Sequence, residues 1–306
     1  MSELILQTRD LTRRYGHTLA LDHAALSVEK GQIFGLVGRN GAGKTTLIRL
    51  ISGQSNPTAG EITLFGASTP AALARARSRT GAMVEIPSFY PYLTARQNLE
   101  YYRIQRGIPG KECVDEALEQ VRLADTGKKK FKTFSLGMKQ RLGLALAIMG
   151  QPELLLLDEP INGLDPMGIV EFRDILLKLN REKGTTILIS SHILSELSNL
   201  ATHYGFLEKG RLLEQVSAEE IRSRCRDCLE IRVQDPAKAA AALEQAGIRD
   251  LEVLPEGELR LYSHLDRSAE VSRILVEGGA GLERMNPRSG SLEDYFLNLV
   301  GGTHHA

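Results

Sequence analysis

The sequence has few members of several residue classes, and each shortage excludes a class of protein. It has no tryptophan and only 5% aromatic residues in 306. Three cysteines are too few, and odd in number, for a secreted disulfide framework. Basic and acidic residues balance at 38 each, so no overall field draws the chain to nucleic acid or to an anionic membrane. The composition, 42% hydrophobic and 25% charged, is that of about two globular domains.

Long apolar runs are also missing. The longest mostly apolar stretch, residues 142–157, is interrupted by glycine, glutamine, proline and glutamate. It falls short of the roughly 18 continuous apolar residues that a membrane-spanning helix needs. The amino-terminal segment MSELILQTRD places charges around a short apolar patch, unlike a secretory signal. We therefore expect a cytoplasmic protein that does not itself cross a bilayer.

Two local features have both a simple and a functional interpretation. Cys225 and Cys228 have the spacing of metal ligands, but no second Cys or His pair follows at zinc-site distance, so we expect two incidental thiols rather than zinc. The lysine-rich segment 128–132 favours a solvated loop over a nucleic-acid patch, because a neutral chain offers no wider basic face. We expect no nucleic-acid partner.

The pattern of hydrophobic residues divides the chain near residue 215. Residues 1–215 alternate short apolar runs with helical patterns, including buried strands at 33–37, 154–157 and 186–190 and a helix at 45–51. This alternation predicts an α/β layer architecture.

Residues 216–306 show a different pattern, which predicts a small α+β accessory domain. Its predicted elements are a helix at 218–226, a strand at 229–233, a helix at 236–246, a hairpin at 251–262, and helices at 267–278 and 291–300. The last helix carries Tyr295, Phe296 and Leu299 at helical spacing, which suggests dimer support or, more simply, domain core.

The strongest motif lies between the first buried strand and the helix that follows it. The segment 38–45, GRNGAGKT, matches the phosphate-binding pattern G-x-x-x-x-G-K-[ST], which we prefer to a chance glycine-rich turn in this context. Its glycines let backbone N–H groups surround phosphate oxygens, Lys44 reaches the β- and γ-phosphates, and the Thr45 hydroxyl binds Mg²⁺. The predicted phosphate-binding residues are Gly38, Arg39, Asn40, Gly41, Ala42, Gly43, Lys44, Thr45 and Thr46.

A second motif ends the apolar run at 154–157 with two adjacent carboxylates, Asp158 and Glu159. Side-chain alternation along a strand sends neighbouring residues in different directions. We expect Asp158 to hold Mg²⁺ and Glu159 to activate the attacking water, rather than both simply capping the next helix.

With two further elements in the same order, the sequence resembles the ATP-binding cassette (ABC) family. Segment 134–141, FSLGMKQR, is similar to the family signature at Ser135 and Gly137, and segment 190–192, SSH, is similar to the switch region with its histidine, His192. Segment 162–166, NGLDP, resembles the loop after the catalytic glutamate, with Asp165 at the contact between cassettes. The resemblance implies a P-loop NTPase fold in which two chains enclose two Mg-ATP.

Other positions match the family less closely. Tyr15 resembles the aromatic residue that stacks on adenine. Glu85 stands where the family normally has a metal-contacting glutamine, and it keeps an oxygen ligand while adding a negative charge. Together with Leu136 and Met138 in the signature, this departure resembles the cassettes of bacitracin-resistance and lantibiotic-immunity exporters.

The resemblance implies an ATPase subunit of a bacterial export system for peptide antibiotics or drugs. It implies a homodimer on the inner face of the membrane, driving separately encoded membrane subunits that choose the exported compound. Lys44, Glu159 and His192 are the expected catalytic residues, and Thr45, Glu85 and Asp158 the expected metal ligands. The alternatives are a soluble cassette ATPase acting on ribosomes or nucleic acid, or an ATP-dependent regulatory switch.

Overall fold

The computed structural model describes residues 3–85, 88–254, 257–288, 290 and 292–302. The chain forms two compact units, 1–218 and 219–306. The observed boundary lies three residues beyond the predicted one, because a strand of the first unit continues to Ser217. Within the described ranges, none of the helices combines the length and apolar character that crossing a bilayer requires.

The first unit alternates strands and helices along most of its length. Its elements are β1 (Leu4–Tyr15), β2 (Thr18–Glu29), β3 (Ile33–Val37), α1 (Lys44–Ser52), β4 (Ala59–Leu64), α2 (Pro70–Arg77), β5 (Thr80–Met83), α3 (Ala95–Gln105), α4 (Glu112–Gln120), α5 (Leu136–Ile148), β6 (Leu154–Asp158), α6 (Pro166–Lys183), β7 (Thr186–Ser191), α7 (Leu194–Ser198), β8 (His203–Glu208) and β9 (Arg211–Ser217). Short 3₁₀ turns at Ala124–Thr126 and Phe131–Thr133 precede α5.

A six-stranded sheet forms the centre of this unit, in the order β5-β6-β7-β3-β8-β9. The first five strands are parallel and β9 is antiparallel to β8. Every residue of β3, β6 and β7 is buried, which explains their continuous apolar sequences. The loops after these three strands meet at one edge of the sheet, where open parallel sheets bind ligands.

A second, antiparallel sheet has the order β2-β1-β4. Several β-bulges interrupt the pairing of β1 with β2, as they interrupt the alternation of buried and exposed residues. Helix α1 contributes Leu47, Ile48 and Leu50 to a hydrophobic core that it shares with residues of both sheets. The helix that begins at the phosphate loop is therefore held by packing along its length.

The second unit is a four-stranded antiparallel sheet covered on one face by helices. Its elements are α8 (Ala218–Arg224), β10 (Cys228–Val233), α9 (Pro236–Gln245), β11 (Leu251–Val253), β12 (Glu258–Leu261), α10 (Ser268–Glu277), β13 (Leu282–Arg288) and α11 (Leu292–Gly302). The strand order β11-β12-β10-β13 and the β-α-β-β-α-β sequence from β10 to β13 are those of a ferredoxin-like fold. Strand residues such as Ile231 and Leu259 pack against Leu243 and Leu275 of α9 and α10. The turn of the predicted hairpin at 255–256 lies outside the described residues.

Helix α11 returns to the start of this unit. Leu292, Phe296 and Val300 form one buried face, so the ring of Phe296 packs within the chain. Arg224 of α8 donates a hydrogen bond to the Tyr295 hydroxyl at 2.6 Å. A Cβ at Gly290 would lie 2.2 Å from the carbonyl oxygen of Cys225, so only glycine fits where α11 approaches α8. Neither Cys225 nor Cys228 takes part in a disulfide among the described residues.

Candidate functional site

A cavity of about 760 Å³ opens at the carboxyl ends of β3 and β6. It is lined by most of the predicted phosphate-loop residues, by all three predicted metal ligands and by residues from the start of β2. The lining residues are Thr18, Leu19, Ala20, Asn40, Gly41, Gly43, Lys44, Thr45, Thr46, Glu85, Leu136, Gln140, Asp158, Glu159 and Asn162.

Two glycines of the phosphate loop are required by its geometry. Gly43 has φ of 111°, and a Cβ there would lie 2.6 Å from the carbonyl oxygen of Ala20. A Cβ at Gly38 would lie 2.4 Å from the carbonyl oxygen of Leu207. The loop is thus fitted between β2 and β8, and it leads directly into α1, whose first N–H groups have no partner within the helix. This arrangement suits a bound phosphate.

Lys44 is 4% exposed and its ammonium group is fully engaged at the cavity wall. Nζ donates to the carbonyl oxygens of Gly38 at 2.7 Å and Arg39 at 3.2 Å, and lies 3.1 Å from Glu159 Oε1. Gly38 and Arg39 therefore act through their carbonyl groups, and neither they nor Ala42 line the cavity.

Ser190 holds the two neighbouring carboxylates in different positions. Its hydroxyl donates to Asp158 Oδ1 at 2.7 Å and accepts from the Glu159 N–H at 3.0 Å. Glu159 has φ of 45°, a left-handed conformation that turns the chain sharply at the end of β6. Asp158 thus stays buried at 6% exposure, while the Glu159 carboxylate projects toward Lys44.

The Glu159 carboxylate also contacts His192. Oε2 lies 3.0 Å from His192 Nδ1 and 3.4 Å from the Asn162 side-chain nitrogen. Its two oxygens therefore face different partners, Lys44 through Oε1 and His192 through Oε2. The structure brings together the three residues that the sequence predicts as catalytic.

The charges and polar groups of the cavity suit a magnesium nucleotide. Of the described residues that line it, Glu85, Asp158 and Glu159 are acidic and only Lys44 is basic, so a polyphosphate needs an additional cation. No group of three or more His, Cys, Asp or Glu in the described part of the chain could hold a metal alone, and Mg²⁺ commonly binds one or two carboxylates together with substrate phosphates. Gln140 is 6% exposed, and its Oε1 is buried with no hydrogen-bond partner among the described residues.

Glu85 pairs with Arg49 of α1 at the mouth of the cavity. Its side chain is 65% exposed, and its backbone has φ of 60°. Residues 86–87, which follow it in the departure from the family pattern, lie outside the described residues. Glu85 therefore faces both the cavity and the helix that begins at the phosphate loop.

Four predicted nucleotide-binding residues lie apart from this cavity. Tyr15 is 42% exposed, with the Arg13 guanidinium over its ring and its hydroxyl 3.5 Å from Ser55 Oγ. That hydrogen bond, with the neighbouring arginines, lowers the pKa of Tyr15. Ser135, Gly137 and Asp165 line a separate cavity of about 370 Å³.

Two of these residues begin helices. Ser135 accepts from the Met138 N–H at 3.3 Å and caps α5. Asp165 accepts from the Gly168 N–H at 2.9 Å and caps α6, with Pro166 at the first helical position.

Sequence reasoning missed several contributors to the cavity. The role of Ser190 between the two acids has no local signal, because a serine near the end of a buried strand looks like any other. Gln140 is part of the quoted signature segment, but its orphaned oxygen depends on the packing of α5. Thr18, Leu19 and Ala20 line the cavity because β2 begins beside the phosphate loop.

Comparison with known proteins identifies the family. The ABC transporter family model matches residues 21–162. The bacitracin transport ATP-binding protein BcrA of Bacillus licheniformis is 45% identical over 97% of this chain and 98% of its own length. BcrA of Enterococcus faecalis is 43% identical over 98% and 97%, respectively. The lantibiotic transport ATP-binding protein SrtF of Streptococcus pyogenes is 38% identical over 68% of this chain and 89% of its own length.

Solved structures agree with the sequence relatives. The ATP-binding subunit of an ABC transporter matches 72% of this chain and 92% of its own, with a TM-score of 0.63 and 28% identity. The protein cbiO1 from Clostridium perfringens, part of the transporter complex cbiONQ, matches 72% of this chain and 91% of its own, with a TM-score of 0.65 and 26% identity. The predicted fold class and the resemblance to bacitracin and lantibiotic cassettes are confirmed. The chain belongs to the ABC transporter family, as an ATP-binding subunit with ATPase architecture.

Proposed function

We propose that this chain hydrolyses Mg-ATP to drive separately encoded membrane subunits that export a peptide antibiotic. The observation that carries the hydrolytic role is the contact of Glu159 with both Lys44 and His192 beside the phosphate loop. The relatives BcrA, a bacitracin transport protein, and SrtF, a lantibiotic transport protein, support export of a bacitracin-like or lantibiotic-like peptide.

Binding of the triphosphate is an exchange of partners at Lys44. The phosphate loop and the start of α1 offer backbone N–H groups, and the Lys44 ammonium turns from backbone carbonyls and Glu159 to phosphate oxygens. Because Lys44 is almost fully buried, its charge acts in a weakly screened environment. The exchange frees one oxygen of Glu159.

Glu159 is then placed to orient and activate the water that attacks the γ-phosphate in line. His192 holds the other Glu159 oxygen in position, and in this proposal its ring also contacts the γ-phosphate of the bound nucleotide. Asp158, oriented by Ser190, faces the cavity as the carboxylate for the metal, with Thr45 and Glu85 as its other predicted ligands. When bound, Mg²⁺ supplies positive charge that offsets the developing charge on the phosphate oxygens.

The separate position of Ser135, Gly137 and Asp165 supports a homodimer. These residues line a different cavity from that of Lys44 in the same chain. In the proposed dimer they therefore contact the ATP held by a second copy of the chain, and the same residues of that copy contact the ATP held by the first. In this proposal the dimer closes on Mg-ATP, works at the inner face of the cell membrane, and opens after hydrolysis.

The Glu159→Gln variant tests the hydrolytic role. It removes the base and keeps the shape, so we expect turnover to fall by at least about a hundredfold. ATP binding and ATP-dependent dimerisation should persist. Glu182→Gln is a suitable control, because Glu182 is an exposed residue of α6 remote from the cavity lining. Near wild-type turnover in Glu159→Gln would show that another group activates water.

The transport role needs a separate test. Affinity purification from detergent-solubilised membranes should recover a hydrophobic subunit, and co-expression with that subunit should raise tolerance to bacitracin or a lantibiotic. The Glu159→Gln variant should abolish the tolerance but keep the complex. Recovery of ribosomes in place of a membrane subunit would contradict the export proposal.

A further inference from the structure

Helix α7, which follows β7, contains a carboxylate, Glu196, that has no role in the proposed hydrolysis. Glu196 lies on α7, four residues beyond His192, and is partly buried. Burial raises the pKa of this carboxyl, and the hydroxyl of Ser191 acts in the opposite direction. A carboxylate taken partly out of water needs such a donor.

Hydrogen bonds connect Glu196 to the turn that carries His192. Ser191 is 2% exposed, and its Oγ lies 3.1 Å from Glu196 Oε2, to which it donates. The same Oγ accepts from the Ile193 N–H at 2.9 Å and lies 3.1 Å from the Ile193 carbonyl oxygen. One serine hydroxyl thus ties both neighbours of His192 in sequence to a side chain of the next helix.

The position of the imidazole depends on this turn. The His192 side chain is 30% exposed, so packing against its neighbours does not by itself fix the orientation of the ring. Its Nδ1 nevertheless lies 3.0 Å from Glu159 Oε2. A hydroxyl has one proton, and the carboxylate is a stronger acceptor than the Ile193 carbonyl. Glu196 therefore sets the direction of the Ser191 hydroxyl and leaves its lone pairs for the Ile193 N–H.

We propose that Glu196 is a positioning residue for ATP hydrolysis: through Ser191 it holds the turn at 191–193 so that His192 meets Glu159. The inference rests on the proposed hydrolytic function. Among the described hydrogen bonds, none joins Glu196 to a residue that lines the phosphate cavity. Its contribution belongs to the rate of the chemical step and not to nucleotide affinity, since Lys44 and the phosphate loop are unaffected.

Single variants separate positioning from a general structural role. Glu196→Ala should lower kcat about five- to tenfold, the effect of losing one positioning hydrogen bond, with KM for ATP and nucleotide Kd within twofold of wild type. Glu196→Gln keeps an oxygen that can accept from Ser191 but loses the negative charge, so its kcat should lie between that of Glu196→Ala and that of wild type. Ser198→Ala is the matched control on α7, because Ser198 is exposed and bonds only the Ser195 carbonyl among its described contacts.

Double variants test the path through His192. Ser191→Ala should cause the same loss as Glu196→Ala, and the two together should cause no more than either alone. In a His192→Ala background, Glu196→Ala should have no further effect. Additive losses, an unchanged kcat in Glu196→Ala, or a kcat in Glu196→Gln no higher than in Glu196→Ala would each overturn the proposal. If Glu196→Ala does not fold, the Ser191 and Glu196→Gln variants decide the matter.

The same assay distinguishes failure of this inference from failure of the proposed function. If wild type and Ser198→Ala do not hydrolyse ATP, the proposed function is wrong. If both hydrolyse ATP and Glu196→Ala matches them, only the role of Glu196 is wrong.

Discussion

Replacing Ser190 by alanine removes one hydroxyl that serves two acidic residues. Ser190 is fully buried at the end of β7. In Ser190→Ala, Asp158 Oδ1 loses the hydrogen bond that it accepts at 2.7 Å. The Glu159 N–H loses its acceptor at 3.0 Å. Both groups lie in or beside the cavity wall, so we expect the variant to be destabilised and its carboxylates to be less well placed.

The size of the effect follows from these two bonds. A hydrogen bond to a charged group contributes about 1.5–3 kcal/mol, and one to a neutral amide about 1 kcal/mol. Partial access of water from the open cavity offsets some of this, so the free energy of unfolding should fall by about 2–4 kcal/mol. For a unit of this size the midpoint of thermal unfolding should fall by roughly 5–15 °C.

Differential scanning calorimetry of the full chain, supported by urea unfolding followed by circular dichroism, measures the loss. Ser198→Ala, which removes an exposed hydroxyl, controls for serine deletion as such and should lie within about 0.5 kcal/mol of wild type. A loss in Ser190→Ala no larger than in that control would refute the reasoning that Ser190 orients the two acids.

Three further predictions concern other parts of the first unit. Gly43→Ala should weaken ATP binding at least tenfold in a fluorescent-nucleotide titration, because the new Cβ meets a carbonyl oxygen at 2.6 Å and the backbone has φ of 111°; unchanged affinity would contradict this. Glu85→Gln should strengthen ATP binding at low salt by removing one of three cavity carboxylates, with the gain fading as salt rises; equal gains at both salts would rule out a charge effect. The bidentate contact of Arg79 holds the pKa of Glu153 below its usual value. The pair therefore stabilises the fold at pH values above the pKa that Glu153 has in the unfolded chain. This contribution is lost as the pH falls through the lower pKa of the folded state. Arg79→Gln should therefore reduce the loss of stability that occurs as the pH falls. The effect should be small for a half-exposed pair, and it is measured as the unfolding midpoint between about pH 6 and pH 3.

Much of the fold was predictable where local pattern and burial agree. The strands at 33–37, 154–157 and 186–190 are fully buried parallel strands, and uninterrupted apolar sequence is typical of such strands. In the second unit, each predicted helix and strand is present within a few residues. Their ferredoxin-like order was not predictable, because strand order depends on pairing between distant segments such as β10 and β13.

The antiparallel sheet of β1, β2 and β4 was not predicted. Bulges interrupt the alternation of apolar and polar residues along these strands. The sequence therefore lacks the pattern that predicts a half-buried strand. The candidate site shows the same division. The phosphate loop and the two acids have strong local motifs, whereas the pairing of Glu85 with Arg49 joins residues far apart in sequence.

Conformation explains the roles of the two acids better than alternation does. Asp158 is the last residue of β6, and Glu159 leaves the strand in a left-handed conformation. The sequence predicts that the two carboxylates diverge, but the cause is a backbone turn supported by Ser190. Such a turn depends on tertiary contacts, which no single-sequence pattern encodes.

Because α11 contacts α8, the last helix of the ferredoxin-like unit holds the beginning of that unit in place. The first residue of β10 pairs with the last residue of β13, Cys228 with Arg288, so the two ends of that unit leave the sheet side by side. Removing residues 292–306 would therefore expose apolar surface at the beginning of the unit as well as at its end. Truncation after residue 291 should therefore speed cleavage by trypsin at Arg224, which lies 71 residues before its partner Tyr295 in sequence.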